Sequence, residues 1–129
     1  MGLDNGIMIK RDTASPEVLA AFGNRGKEEG EYDPEVAYWR GCWNVRSIIL
    51  NTLNIHSYND FICPMTYGDI DNVIEALRRM NKKNWLNYGH CSWEWPDFCR
   101  FQRRNIRNLR KLRKLMKTQN MLVYFYDSY

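Results

Sequence analysis

Residues 97–117 constrain the fold more than any other stretch, because apolar and basic side chains separate cleanly there on a helix. At 100° per residue, the main apolar side chains fall within an arc of about 80°. They are Phe98, Phe101, Leu109, Leu112 and Met116. Seven cations fill the opposite side and are called here the cationic strip: Arg100, Arg103, Arg104, Arg107, Arg110, Lys111 and Lys114. The pattern predicts a long helix with one face in the core and a basic face outside it.

The charge of the chain is strongly polarised. The net charge is only +4, yet residues 97–117 carry nine of the nineteen basic residues and a single acid, Asp97. The rest of the chain holds ten basic residues against fourteen acids, a net charge of −4. Six of the nine cations are arginines, which favours bidentate contacts to phosphate or carboxylate groups. The strip therefore predicts a negatively charged partner without naming it.

Length and composition predict one domain over residues 1–129, large enough to bury a core without disulfides or metal. No stretch approaches the roughly 18 apolar residues of a membrane span, and the first residues show no signal-peptide pattern. We therefore expect a cytoplasmic protein. Membrane binding is not expected, because the apolar stripe of the basic helix is narrow and is needed by the core. The four cysteines lack C-x-x-C spacing, so we expect buried free thiols in a reducing compartment. They are Cys42, Cys63, Cys91 and Cys99.

The remaining patterns predict an α+β domain in which a first and a last strand enclose about three helices. The first strand is predicted over 7–10, after a turn at Asn5-Gly6, and the last over 121–126, where β-branched and aromatic residues cluster. Asp33-Pro34 predicts the start of the first helix, which runs to about Asn54.

Four further segments complete the prediction. Glycines and charges over 11–32 predict a flexible insertion, and 55–65 is predicted to be a connection. A capping box beginning at Thr66 predicts a second helix over 67–82. The aromatic segment 85–95 predicts a strand and a turn before the basic helix begins.

A second candidate site is a pocket at Glu35, Tyr38, Trp39 and Arg40. On the predicted helix Arg40 lies on a different face from Glu35, so the four converge on one ligand only with help from another element. Trp39 and Arg40 could frame a pocket by stacking and hydrogen bonding, or Trp39 could be a core residue beside an arginine that reaches outward. If the two predicted strands lie against this helix, Asp4 and Tyr126 become its neighbours.

Metal binding and catalysis are not supported by residue spacing. His90, Cys91 and Cys99 with His56 or Cys63 lack the paired spacing that zinc usually recruits. A Cys–His nucleophile is not indicated either, because adjacent residues such as His90 and Cys91 usually point apart. We therefore predict no metal, no cofactor and no enzymatic activity.

Three landmarks carry a resemblance to a known family. They are Met1-Gly2-Leu3-Asp4, then Glu35-Val36-Ala37-Tyr38-Trp39-Arg40, and finally Tyr124-Phe125-Tyr126-Asp127-Ser128-Tyr129. The chain resembles a family of small, mostly uncharacterised bacteriophage and prophage proteins that open with Met-Gly-Leu-Asp, carry Glu-x-x-Tyr-Trp-Arg early in the first helix and end in a Tyr-rich strand. It departs from that pattern at Asn5-Gly6, where members continue with larger apolar residues, and at Tyr129, where a tryptophan is common. The resemblance implies a phage or mobile-element origin and no established activity.

Small accessory proteins of phages often bind and block host machinery, so the resemblance favours a non-enzymatic inhibitor. We expect it to occupy a host complex in the bacterial cytoplasm, an antiviral defence system such as CRISPR–Cas. An acidic protein or ribonucleoprotein surface would meet the cationic strip, with Trp93 and Trp95 as desolvated anchors. The alternative is a nucleic-acid-binding module that uses the same strip. A third interpretation is a solvated helix face paired with the protein's own acids, such as Glu28, Glu29 and Glu31.

Overall fold

Four strands form one antiparallel sheet within residues 2–22, 32–55 and 61–128, which a computed structural model describes. The strands are β1 (Asp4–Ile9), β2 (Glu35–Arg40), β3 (Phe61–Met65) and β4 (Val123–Ser128). Their order across the sheet is β2-β1-β4-β3, so the first and last of the described strands pair at its centre.

Helices make up the rest of the architecture. The described α-helices are α1 (Pro16–Phe22), α2 (Trp43–Thr52), α3 (Tyr67–Arg78) and α4 (Trp95–Met116), and a short 3₁₀ turn spans Arg11–Thr13. The predicted α+β class is confirmed, as is the long basic helix near the end of the chain. The predicted capping box is also present, because Thr66 Oγ1 accepts from Asp69 N at 3.1 Å and Asp69 Oδ2 accepts from Thr66 N at 2.9 Å.

The two faces of the sheet differ in burial. Strand side chains alternate between faces, and on the core face Ile7, Trp39 and Phe125 are fully buried. Across the other face, the register aligns Tyr38, Gly6, Tyr126 and Ile62 in one row. In this row both tyrosines are partly exposed and Ile62 is 68% exposed. The core therefore lies on one side of the sheet.

Strand β2 replaces the first part of the helix predicted over 34–54, and that prediction is wrong. Val36, Tyr38 and Trp39 are β-branched or aromatic residues, which favour strands, and pairing with β1 stabilises the extended backbone. Gly41 then adopts a φ of 67°, a left-handed conformation that few other residues tolerate, and α2 starts only at Trp43. Asp33 does not cap a helix but accepts hydrogen bonds from the Arg11 amide at 2.9 Å and the Tyr124 hydroxyl at 2.6 Å.

The predicted turn at Asn5-Gly6 is also wrong, because both residues lie inside β1. A glycine suits this position since a Cβ atom on Gly6 would lie 2.7 Å from the Ala37 carbonyl oxygen and 2.8 Å from Tyr126 Cε1. Strand β2 and the Tyr126 ring can therefore approach this closely only because residue 6 has no side chain.

Three further segments form structures other than those predicted. Strand β3 occupies part of the predicted connection 55–65, where a strand forms because β4 supplies a pairing partner. Segment 85–95 contains turns and one isolated bridge between Cys42 and Cys91 instead of a strand. Helix α1 lies inside the predicted flexible insertion 11–32, and residues 23–31 of that insertion lie outside the described residues.

Helix α4 covers the edge strand β2 through two buried amide side chains. Asn105 Nδ2 donates to the Tyr38 carbonyl at 2.9 Å, and the Tyr38 amide donates to Asn105 Oδ1 at 3.4 Å. One turn earlier, Gln102 Oε1 accepts from Trp39 Nε1 at 2.7 Å. Edge strands expose main-chain groups that can pair with other chains. Asn105 provides hydrogen-bond partners for the Tyr38 amide and carbonyl on this edge. The same contacts fix which side of α4 faces outward.

Candidate interaction surface

The cationic strip is exposed along its whole length. Arg100 pairs with Asp97, and Lys111 donates to the Ala21 carbonyl at 2.9 Å while lying 5.2 Å from the centre of the Phe22 ring. Five strip cations form no ion pair with a carboxylate of the described residues: Arg103, Arg104, Arg107, Arg110 and Lys114. The acids Glu28, Glu29 and Glu31, which could neutralise the strip, lie outside the described residues.

Arg113 lies on the same helix but is not part of the strip. Its guanidinium reaches Asp71 of α3 at 2.6 Å and is partly buried there. Arg113 therefore links α4 to α3, whereas the cations of the strip point away from the core.

A groove between α3 and α4, the α3–α4 groove, has a volume of about 530 Å³. Its lining residues are Leu77, Arg78, Met80, Asn81, Trp95, Phe98, Cys99, Gln102, Arg103, Ile106, Arg107 and Arg110. Leu77 and Phe98 are buried at its floor, whereas Met80, Trp95 and Ile106 are partly exposed. The lining includes four arginines and no acid, so the groove combines an apolar floor with a positive rim.

A second, smaller cavity, the β2–α4 cleft, has a volume of about 230 Å³ on the other side of α4. It is lined by Glu35, Val36, Ala37, Tyr38, Arg40, Trp93, Phe101, Arg104, Asn105 and Asn108. Trp93 Nε1 donates to the Arg40 carbonyl at 2.7 Å, and its ring meets Phe101 edge-on with centroids 5.1 Å apart. The cleft thus places an exposed indole beside two guanidinium groups.

Three of the four predicted pocket residues share this cleft. Glu35, Tyr38 and Arg40 line it, and α4 with Trp93 supplies the additional element that the sequence called for. Trp39 does not take part, since it is fully buried on the core face of β2. The core interpretation of Trp39 is therefore correct. The neighbours expected from the strands are close, because the Tyr38 hydroxyl donates to the Asp4 carboxylate.

The structure separates the two predicted anchors. Trp93 is 41% exposed and lines the β2–α4 cleft. Trp95 lines the α3–α4 groove and packs against Trp85 and Phe98, with ring centroids 5.4 and 6.2 Å apart. The two anchors predicted for one contact surface therefore belong to two cavities, one on each side of α4.

Two residues of the surface were missed by the sequence analysis. Gln102 and Asn105 are polar but buried, and both interact with β2. Their positions held a signal, because 98, 102, 105, 109 and 112 follow the alternating spacing of four and three that a core-facing helix stripe shows. A core-facing stripe defined by apolar residues alone omits Gln102 and Asn105, because both are polar.

The expectation of buried free thiols holds for two of the four cysteines. Cys42 and Cys91 are buried with their sulfur atoms 3.7 Å apart, whereas Cys63 and Cys99 are partly exposed, and all four are free. The hydrogen bond with Cys91, followed by burial, raises the pKa of the Cys42 thiol. Within the described ranges, no group of three or more His, Cys, Asp or Glu side chains is arranged to hold a metal ion. None of the helices in those ranges is long and apolar enough to cross a membrane.

Tyrosines on the partly exposed sheet face resist ionisation. Burial, together with the hydrogen bond to Asp4, raises the pKa of Tyr38 to about 12. Burial and the hydrogen bond to Asp33 raise the pKa of Tyr124, and burial followed by the charge of Glu35 raises that of Tyr126.

We expect the free energy of unfolding to fall as the pH rises from about 10 to about 12. The folded state holds the Tyr38 proton more tightly than the unfolded chain does, so this contribution is complete below pH 10 and is lost as the pH passes 12. In Tyr38→Phe the decline should be shallower, because no hydroxyl ionises at that position. Urea unfolding at pH 9 to 12, followed by tryptophan fluorescence, measures both slopes. Equal slopes for the two proteins would contradict this role of Tyr38.

Comparison of the chain with protein-family models, with curated proteins and with solved structures found no match.

Proposed function

We propose that this chain is a non-enzymatic binding protein that uses the cationic strip to occupy a negatively charged host complex. We further propose that it is a phage or mobile-element accessory protein acting in the cytoplasm of its bacterial host, and that it inhibits an antiviral defence system such as CRISPR–Cas. The observation that carries the binding proposal is the set of five exposed strip cations without a carboxylate partner among the described residues.

Electrostatics favour an external partner for these cations. Clustered charge of one sign steers an oppositely charged partner towards the surface and fixes its orientation. Arginine is suited to this because its planar group forms two hydrogen bonds to one carboxylate or phosphate. An inhibitor of this kind needs a surface and no catalytic group. The phage origin is supported by the three sequence motifs that resemble the phage family.

Affinity capture from host lysate tests the binding proposal. We expect tagged protein to retain a discrete host protein after nuclease treatment, and the triple variant Arg103→Glu, Arg107→Glu, Arg110→Glu to reduce that retention at least tenfold. The matched control changes three exposed lysines outside the strip, Lys10→Glu, Lys82→Glu and Lys83→Glu, with the same change in net charge. Retention that both triples reduce equally, or that neither reduces, would refute a role for the strip.

Phage plating tests the inhibitory part. Expressed in strains with active CRISPR–Cas or restriction systems, the protein should raise the plating efficiency of a targeted phage by at least tenfold in one of them. The strip triple should abolish the gain, and the control triple should keep it. Unchanged plating in all strains would reject defence inhibition and leave binding to be judged from the capture experiment.

Nucleic acid is the second candidate partner, and the β2–α4 cleft is the observation that favours it. Exposed Trp93 beside Arg40 and Arg104 offers a surface on which a base can stack while phosphates meet guanidinium groups. Single-stranded oligonucleotides should then bind with an affinity that falls steeply with salt. Trp93→Ala and Arg104→Glu should each weaken that binding several-fold. Retention in the capture experiment that disappears with nuclease would favour this candidate over a protein partner.

A further inference from the structure

The α3–α4 groove contains more cations than its own elements neutralise. Arg78 pairs with Glu75 on α3 at 3.1 Å, whereas Arg103, Arg107 and Arg110 form no ion pair with the described residues. All three lie on the exposed side of α4 along one wall of the groove. A ligand that fits this wall carries several negative charges.

The floor of the groove excludes a purely charged ligand. Met80, Trp95 and Ile106 are partly exposed there, above the buried Leu77 and Phe98. Covering apolar surface of this kind is favourable at about 25 cal/mol per Å², and a phosphate backbone has no apolar side with which to gain it. The ligand therefore carries an apolar face as well as acids.

The polar group on the floor is already satisfied. Gln102 accepts from Trp39 Nε1 at 2.7 Å, and its Nε2 lies 3.6 Å from the Met80 sulfur. An apolar side chain of a ligand can pack over Gln102 without leaving the Gln102 amide group without a hydrogen-bond partner. Trp95, held against Trp85 and Phe98, offers a rigid aromatic contact of the type that dominates protein interfaces.

The spacing of the arginines identifies a geometry for the ligand. Arg103, Arg107 and Arg110 follow the i, i+4, i+7 pattern of one helix face and span about 10 Å along the axis at 1.5 Å per residue. A helix of a partner protein that lay along the groove would match this surface if it carried acidic residues at the same spacing beside an apolar stripe. Amphipathic helices that bind in grooves use this i, i+4, i+7 arrangement.

We infer that the α3–α4 groove is the docking site for an acidic amphipathic helix of a partner protein, whose apolar stripe covers the groove floor while its carboxylates bind Arg103, Arg107 and Arg110. This inference rests on the proposed function and specifies the class of partner that the three groove-lining arginines of the cationic strip recognise.

The test uses two fluorescent peptides of identical composition. One places leucines and glutamates on opposite faces of a helix, and the other has the same residues scrambled so that no apolar stripe remains. We expect fluorescence anisotropy to show at least tenfold tighter binding of the amphipathic peptide. Arg107→Glu should weaken that binding at least tenfold. Arg104→Glu, which changes the same charge on the same helix but lines the β2–α4 cleft, should change it less than twofold.

A floor variant separates shape from charge. Ile106→Asn leaves the charge unchanged and should weaken the amphipathic peptide several-fold, with folding verified by circular dichroism. Because Ile106 is only partly buried, a second variant, Met80→Gln, provides the same readout if the first fails to fold.

Equal affinity for the scrambled peptide, or equal loss in Arg104→Glu and Arg107→Glu, would overturn the groove as a specific site. Such a result would not decide whether the cationic strip binds a host protein, because that question is answered by the retention measured in the lysate experiment. Binding of a single-stranded oligonucleotide that depends on Arg107, without binding of the amphipathic peptide, would also overturn the inference. Loss of lysate retention with intact peptide binding would refute the proposed function alone.

Discussion

Replacing Trp39 by alanine is expected to lower the free energy of unfolding by about 3–5 kcal/mol. The side chain is among the largest that are fully buried, and its removal leaves a large cavity between the sheet and α4. Gln102 Oε1 also loses the indole donor that lies 2.7 Å away. A typical domain is stable by only about 5–15 kcal/mol, so the variant should lose a large part of its stability. Urea unfolding followed by circular dichroism measures the change.

Trp93→Ala is the matched control for this substitution. Trp93 is 41% exposed and lies above the core, so its removal should cost about 1 kcal/mol or less. Equal losses in the two variants would mean that Trp39 does not carry the packing described above. A stable Trp39→Ala protein would reopen its interpretation as a pocket residue.

Asn105→Ala is expected to cost about 2–3 kcal/mol, because it removes the hydrogen-bond partners of both main-chain groups of Tyr38. The shorter bond, from Asn105 Nδ2 to the Tyr38 carbonyl at 2.9 Å, should account for most of the loss. Asn105→Asp keeps the size but replaces the donor with an oxygen that repels the carbonyl, so it should be no more stable than the alanine variant at neutral pH. Urea unfolding measures both, and hydrogen exchange of the Tyr38 amide should accelerate.

Asn108→Ala serves as the control on the next turn of α4. Asn108 lines the same cleft but forms no hydrogen bond within the described residues, so its replacement should be nearly neutral. If Asn105→Ala were equally neutral, the attachment of β2 to α4 would depend on apolar packing alone.

The elements that the sequence predicted well are those specified by local patterns. Helix α4 has one strongly amphipathic face, and α3 begins with a capping box whose two hydrogen bonds join neighbouring residues. Exposure of the cationic strip followed from the same helical period, since seven cations on one side cannot enter a core. None of these predictions needed knowledge of the tertiary structure.

Strand β2 could not be recognised in the same way. Residues 35–54 are apolar on several sides, so the helical period did not distinguish a strand followed by a helix from one long helix. Pairing with β1, thirty residues earlier in the chain, decides the outcome. Tertiary contacts often override local propensity in this way.

The two cavities were beyond sequence analysis for a related reason. The α3–α4 groove exists because α3 packs beside α4, and the β2–α4 cleft exists because Asn105 holds β2 there. Trp93 and Trp95 are two residues apart, yet α4 begins at Trp95 and the two side chains lie on different sides of the helix. Only the packing of distant segments reveals which charged and aromatic residues share a site.

The central pairing of β1 with β4 has a consequence for how the chain reaches its folded state. Asp4 lies opposite Ser128, so the middle of the sheet closes only after the residues between them have been synthesised. Until then β2 is the only partner of β1 among the described strands, and the other edge of β1 stays open to pairing with other chains. Contacts between such distant positions also slow folding. Until β4 has been translated, the open edge of β1 therefore exposes the nascent protein to aggregation.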